Sequence, residues 1–354
     1  MLWIRLRSKI TFFQKNRYNI LKKDNLKILV IRFSSIGDIV LTTPVIRCLK
    51  QQLAGVELHY LTKRSFEPVL SSNPYIDKLH FLNDKLSETI LQLKAEKYDL
   101  IVDLHHNLRT LIIKARLGVR STSFDKLNWQ KWLIVNFKIN RLPAVHIVDR
   151  YLDTVQFLNV KNDEKGLDYF LNAEYNLSVL LPQSHQEYIG IVIGAQHATK
   201  RLPQHQLIKL CQAIGQPIVL LGGPDDAARA TEICEEAGPM VINGCGKFNL
   251  DQSAYLVRMA RQIITHDTGL MHIAAAFKKP LISVWGNTIP EFGMYPYKAS
   301  GSVIAEVKHL GCRPCSKIGY NKCPLGHFKC MNDQDIQFIV ENVINSDQKS
   351  ISVL

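Results

Sequence analysis

A strand gives way to a helix across Thr265-His266-Asp267-Thr268-Gly269-Leu270-Met271-His272, with Ile273-Ala274-Ala275-Ala276 following. Ile263 and Ile264 read as the strand's apolar end, and the alanines as a helix that packs closely on a sheet. Asp267 reads as the N-cap, Thr268 and Gly269 as first-turn backbone donors, and His272 as the residue one turn on. The N–H groups of a helix start and the helix dipole together bind anions. The chemistry implied is capture of a phosphate or diphosphate at the carboxyl end of a strand, where open α/β sheets bind ligands. The competing reading is an N-capped helix with a buried histidine, and the turn alone does not choose between them.

Three further stretches carry candidate chemistry. Arg32-Phe33-Ser34-Ser35-Ile36-Gly37-Asp38 directly follows the first apolar strand. Gly37 permits positive φ or close approach of a ligand. Asp38 opens the next helix: as an N-cap it is structural, and projecting from the helix start it is a carboxylate that the dipole keeps ionised. Such a base is weak and suits a hydroxyl that loses its proton late in the reaction. Ala195-Gln196-His197-Ala198-Thr199-Lys200-Arg201-Leu202-Pro203 sets Thr199 and Lys200 just before a helix, with Pro203 at its first position. The lysine is a point charge for a departing diphosphate; a solvated basic loop is the alternative. Gly222-Gly223-Pro224-Asp225-Asp226 is a glycine turn that can seat a ribose or simply turn and cap. No GxGxxG fingerprint occurs, which argues against a nicotinamide-dependent oxidoreductase.

These stretches need a scaffold that brings strand ends together. Apolar runs at 28–32, 56–61, 78–82 and 100–103 alternate with helical patterns at 39–52, 65–70 and 86–96. A second series has strands at 188–194, 217–221, 240–243, 262–265 and 281–285, with helices at 204–214, 225–236, 251–261 and 269–277. Such alternation predicts parallel sheets covered on both faces. The predicted organisation is a basic leader 1–26, a first domain 27–160, a linker 161–187 and a second domain 188–354, closed by a helix at 333–345. The fold class is α/β, with two doubly wound Rossmann-like domains facing a central cleft. The tract 109–150 reads as helical and holds nine Lys or Arg against Asp125 and Asp149.

The chain has 354 residues, a net charge of +13 and 46% apolar residues, enough for two real cores. The charge implies an anionic partner. A nucleic-acid module predicts an aromatic-basic stacking face or a finger spacing, and neither is seen. No apolar run approaches the roughly 18 residues of a membrane span, and no secretory signal is apparent. The expected location is cytoplasmic. In the leader, Arg5, Arg7, Lys9, Lys15, Arg17, Lys22 and Lys23 precede the first acid, Asp24, interleaved with Trp3, Ile4, Leu6, Ile10, Phe12 and Phe13. This reads either as an amphipathic segment on the anionic inner membrane face or as a loose arm. Of eight cysteines, Cys312, Cys315, Cys323 and Cys330 cluster within segment 312–330. They can hold structural zinc, but their spacing fits no zinc-ribbon pattern, so packed or redox-labile thiols are the favoured reading.

Taken in order, RFSSIGD after the first strand, TKRLP, GGPDD and HDTGLMHIAAA resemble the heptosyltransferase family of glycosyltransferases, over residues 27–345. The resemblance implies the two-domain GT-B fold and an inverting transfer of heptose, or a similar sugar, from an ADP-sugar to a lipopolysaccharide core or related lipid-linked saccharide, with no metal or other cofactor. It implies Asp38 as the base and Lys200, Asp267, Thr268, Gly269 and His272 on the donor side, to which the reading of the two other turns adds Thr199, Gly222 and Asp225. Ser35, Gly37, His105, Arg109 and Arg120 are the acceptor-side candidates. The chain departs from the family pattern in Gly286-Asn287-Thr288, where Gly-Pro-Thr is frequent, and in its basic leader. The alternatives are a different nucleotide-sugar donor on the same fold, and a non-catalytic sugar- or nucleotide-binding protein.

Overall fold

The computed structural model describes residues 25–351, so the predicted basic leader lies almost wholly outside the described residues. The chain divides into two compact units: 1–126 with 148–165, and 127–147 with 166–354.

The first unit is built on β1 (Lys27–Ile31), β2 (Glu57–Thr62), β3 (Lys78–Phe81), β4 (Leu100–Asp103) and β5 (Arg120–Ser123). They form one parallel sheet in the order β3-β2-β1-β4-β5. β1 (KILVI) and β4 (LIVD) are unbroken apolar runs because helices cover both faces. Leu29, Ile31, Phe33, Leu61, Leu93, Ile101 and Ile113 fill one layer of the core. The order reverses between β1 and β4, so the loops leaving these two strands flank a topological switch point, where such sheets place ligands.

The helical pattern predicted at 39–52 is two helices, α1 (Ile36–Val40) and α2 (Thr43–Gln52). Pro44 is well placed in the first turn of α2 but has no N–H to continue α1. α3 (Leu86–Ala95) and α4 (Leu108–Leu117) follow, and Asn107 caps α4 by accepting from the Thr110 N–H at 3.0 Å. The tract 109–150 is not one helical block. It contains α4, the polar edge strand β5, α5 (Asn128–Phe137) and the start of α6 (Ile147–Asp153).

Residues 127–147, expected in the first domain, belong to the second unit, where Ile134, Val135 and Leu142 pack with Ile289 and Phe292. The segment from Gly166 onward, read as linker, also belongs there, and Asp251 accepts from the backbone N–H of Asn172 at 3.0 Å.

The second unit carries β6 (Ile189–Val192), β7 (Ile218–Leu221), β8 (Val241–Asn243), β9 (Gln262–His266), β10 (Leu281–Trp285) and β11 (Val303–Glu306). All pair in parallel in the order β11-β10-β9-β6-β7-β8, which reverses between β6 and β9. α7 (Gln204–Ile214), α8 (Ala227–Ala237), α9 (Leu250–Met259), α10 (Gly269–Ala276) and α11 (Ile336–Ile351) complete it. Pro203 is the N-cap of α7, one position before the expected one. Among the described residues, no helix is long and apolar enough to cross a membrane.

Candidate active site

In the first unit, the candidate residues lie on the loops leaving β1 and β4. Asp38 is at the third position of α1, and Ser35, not Asp38, is the N-cap. Asp38 Oδ2 accepts from the Ser35 N–H at 3.2 Å and from Ser35 Oγ at 2.8 Å. Its Oδ1 meets Arg32 Nη2 at 2.7 Å, and the Asp38 side chain is 20% exposed. Burial alone would raise this carboxyl. The Arg32 charge and the Ser35 hydrogen bonds outweigh burial and hold it below the usual carboxylate range. The expected ionised carboxylate is therefore present, although a guanidinium fixes it as well as a helix start.

Arg32 itself is buried. It donates from Nε to Ser34 O at 2.8 Å, and from Nη1 to Leu104 O at 2.6 Å and Tyr151 Oη at 3.0 Å. The β4 loop is fixed by Asp103, which is fully buried and paired with Lys114 Nζ at 2.8 Å. Asp103 also accepts from the N–H groups of His105 at 3.1 Å and His106 at 2.7 Å. The His105 ring lies 4.8 Å from Phe33, and the Arg109 guanidinium lies 5.5 Å over the same ring. Burial, then the charges of Arg32 and Lys126, push His105 down to about 4, so it is neutral at pH 7.

Ser35, Gly37, Asp38, His105 and Arg109 thus gather around the β1/β4 switch point. Arg120 does not. It opens β5 in register with Leu100, at the opposite end of the sheet, and stacks over Phe157 at 4.4 Å.

In the second unit, a separate set of candidate residues lies on the loops leaving β6 and β9. Lys200 Nζ meets Asp267 Oδ2 at 2.5 Å, with both side chains mostly buried. Asp267 Oδ2 also accepts from Thr288 Oγ1 at 3.1 Å. The expected N-cap role of Asp267 falls to Thr268, since α10 begins at Gly269. Asp267 instead holds the Lys200 ammonium one residue before the N-cap of α10, whose first N–H groups have no intrahelical partner. His272 is buried one turn into that helix.

Thr199 is buried, and its hydroxyl is spent on structure. It donates to Tyr320 O at 3.1 Å and accepts from the Tyr320 N–H at 2.8 Å. His266 Nε2 accepts from the Leu202 N–H at 2.9 Å. Burial, then the Arg229 and Arg201 charges, push His266 down to about 3, so its ring stays a neutral acceptor that ties the Lys200 loop to β9.

In the glycine turn the buried acid is Asp226, while Asp225 is exposed. Asp226 Oδ2 accepts from the Gly223 N–H at 3.1 Å. It fills the space where a Cβ on Gly194 would stand 2.3 Å away and one on Gly222 2.9 Å away. These glycines make room for a carboxylate that faces Arg201 at 3.4 Å.

The cysteine-rich segment braces the second unit's set. Arg313 donates to Gly286 O at 2.5 Å and Thr288 O at 3.0 Å, and Cys315 N–H donates to Asn287 O at 3.1 Å. Gly286 is a close approach: a Cβ there would stand 2.8 Å from Thr199 O. The four clustered thiols are free. Burial pushes Cys315 up to about 11 and Cys330 up to about 12. Among the described residues the one group of His, Cys, Asp or Glu ligand atoms that converges is His59, His80 and Glu96. It lies at the other end of the first sheet from Asp38, and Lys27 at 2.7 Å and Lys78 at 2.5 Å already hold Glu96.

Sequence reading missed Arg32, Tyr151, Thr288, Tyr320 and Arg313. Arg32 had a signal, an arginine ending an apolar strand six residues before an aspartate. The others act across long sequence separations.

Known proteins bear on this arrangement. The chain is 27% identical over 289 residues to lipopolysaccharide heptosyltransferase 1 of Campylobacter coli, covering 74% of this chain and 84% of that one. The solved glycosyl transferase family 9 protein of Veillonella parvula superposes with a TM-score of 0.75 at 22% identity, covering 92% of this chain and 98% of that one. E. coli ADP-heptose LPS heptosyltransferase II superposes at 0.69 and 20% identity, over 92% and 99%. The two parallel α/β sheets are those of the GT-B heptosyltransferase structures. The model of glycosyltransferase family 9 (heptosyltransferase) matches residues 88–325, well over half the chain and including both donor-side turns. The chain belongs to glycosyltransferase family 9, the heptosyltransferase family, and is a glycosyltransferase.

Proposed function

We propose that this enzyme moves a heptose from ADP-heptose to an anionic, lipid-linked saccharide of the lipopolysaccharide core, inverting the anomeric centre. The relatives' names support the donor and the acceptor class: one is a lipopolysaccharide heptosyltransferase and another an ADP-heptose LPS heptosyltransferase. The observation that carries the reading is Lys200, pinned by Asp267 beside the start of α10 at the β6/β9 switch point. An ammonium held on the residue that precedes a helix N-cap suits a diphosphate.

In this reading the second unit binds the donor, through Lys200, Asp267, Thr268, Gly269 and His272. The acceptor hydroxyl lies at Asp38, near Ser35, Gly37, His105 and Arg109. Its oxygen bonds to the anomeric carbon as the bond from that carbon to the diphosphate oxygen breaks. The bonding pair leaves with ADP, and the hydroxyl proton passes to Asp38. Positive charge builds on the sugar in an oxocarbenium-like state. The charge growing on the leaving diphosphate is met by Lys200 and the α10 amides, the electrostatic work that a metal ion performs in other transferases. A single displacement inverts the configuration. Such a transfer belongs at the cytoplasmic face of the inner membrane, where the basic leader would add affinity.

The test is transfer from ADP-heptose to purified core lipopolysaccharide lacking the terminal sugar, alongside GDP- and UDP-sugars. The expected result is one ADP released per sugar transferred, with a product of opposite anomeric configuration. Retained configuration, or turnover with another nucleotide only, would overturn the corresponding part. Binding of ADP-heptose without transfer to any such acceptor would favour a sugar-binding protein.

A further inference from the structure

We infer that Arg32 is a positioning residue for proton transfer: with Ser35 it leaves Asp38 a single open acceptor position, on Oδ1, and aims that position at the substrate hydroxyl. The inference rests on the reading of Asp38 as base, and takes its support from how the donors around Asp38 are distributed.

A carboxylate oxygen accepts about two hydrogen bonds. Oδ2 already receives both the N–H and the hydroxyl of Ser35. Oδ1 receives one donor, Arg32 Nη2 at 2.7 Å. The carboxylate therefore has one acceptor position left, on the oxygen that Arg32 holds. The guanidinium cannot drift, because its Nε and Nη1 are committed to Ser34 O, Leu104 O and Tyr151 Oη. Those partners come from the β1 loop, the end of β4 and α6, so Arg32 ties Asp38 to three separate elements of the first unit. A lysine has no planar fork and would reach only some of these acceptors.

The same contact sets when the base is usable. Of the other groups near the pair, Tyr60, Tyr151 and His105 are neutral at pH 7, with burial raising both phenols and lowering the imidazole to about 4, and the Arg109 cation stands over the Phe33 ring rather than pairing with Asp38. Arg32 is thus the charge that opposes burial of Asp38. Without it the carboxyl rises, and the acid limb of turnover rises with it. An opposite charge at this range moves a carboxylate by about 1–3 units.

The experiment is the pH profile of kcat for the wild type, Arg32→Gln, Arg32→Lys and Asp38→Asn, with ADP affinity and Tm measured for each. The wild type should show no carboxylate limb above about pH 4. Arg32→Gln should acquire one, displaced upward by about 1–3 units, with kcat reduced, ADP affinity unchanged and KM for the sugar donor little altered. Arg32→Lys keeps the charge and folds more readily; its limb should stay near the wild-type position while kcat falls. An unmoved limb in Arg32→Gln, or wild-type kcat in Arg32→Lys, overturns the inference. If Arg32→Gln does not fold, the Lys variant alone decides. Full activity in Asp38→Asn would instead remove the base reading, and this inference with it; an inactive Asp38→Asn beside an unmoved limb removes only the role of Arg32.

Discussion

Replacing Lys200 by Met keeps the aliphatic stem and deletes the charge. Its effect on ADP binding can be worked from the contacts. A hydrogen bond to a charged group contributes about 1.5–3 kcal/mol, a factor of roughly 10 to 150 in Kd. Lys200 Nζ is already bonded to Asp267 Oδ2 at 2.5 Å. Part of the gain on binding diphosphate is therefore offset by loosening that pair. The expected loss lies in the lower half of the range, about 10- to 30-fold. Because Lys200 is 16% and Asp267 11% exposed, salt should screen the contact only weakly. Raising ionic strength should weaken wild-type binding far less than the substitution does. Calorimetric titration with ADP measures both effects. Asp267 keeps its bond from Thr288, so the variant should fold and the titration should remain interpretable. An ADP Kd within twofold of wild type would refute the placement of the diphosphate at Lys200.

Lys114→Met leaves Asp103 fully buried without its cation. Breaking such a pair costs about 3–5 kcal/mol, a fall in Tm of roughly 10–15 °C for a unit of this size, and a thermal scan with less than about a 2 °C change would contradict it. Acid should destabilise the wild type in a window set by histidines. His266 at about 3, His80 at about 4 and His105 at about 4 are each held below their usual value by burial. The unfolded chain then binds more protons below about pH 6.5, so stability must fall as pH drops from there toward about 4. A Tm that is flat or rising across that window would show that these imidazoles are not buried neutral.

Much of the scaffold was legible in sequence because burial on both faces leaves an unambiguous mark. β1, β4 and β7 read as near-continuous apolar runs and β10 as one interrupted by Ser283, and the two strand-helix series follow from them. β5, with the sequence RSTS, escaped because this edge strand is polar and only partly covered, so it has no such run. The break between α1 and α2 was signalled by Pro44 yet hidden by continuous helical periodicity. Placement of residues 127–147 in the second unit depends on Ile134 meeting Ile289 and Phe292, a contact across some 150 residues that no local pattern encodes.

The site divides in the same way. Asp38, Lys200 and Asp267 stand out as candidates in the sequence because turn residues at strand ends are locally visible. Their roles in the structure were not. Asp267 was expected to cap a helix and instead holds a lysine, and Asp226, not Asp225, is the buried acid of its turn. Arg120 was drawn in by its charge, and the strand direction takes it away from Asp38. Charge type is written in the sequence, whereas which end of a strand a residue occupies depends on where the strand begins.

The central claim is that Asp38 takes the acceptor proton in an enzyme whose donor site is built separately, in the second unit. Its most direct test compares Asp38→Asn with the wild type for sugar transfer and for ADP affinity in one preparation. The expected result is transfer reduced by about 10²–10⁴-fold, the usual contribution of a general base, with ADP affinity unchanged. Wild-type transfer by Asp38→Asn would contradict the account.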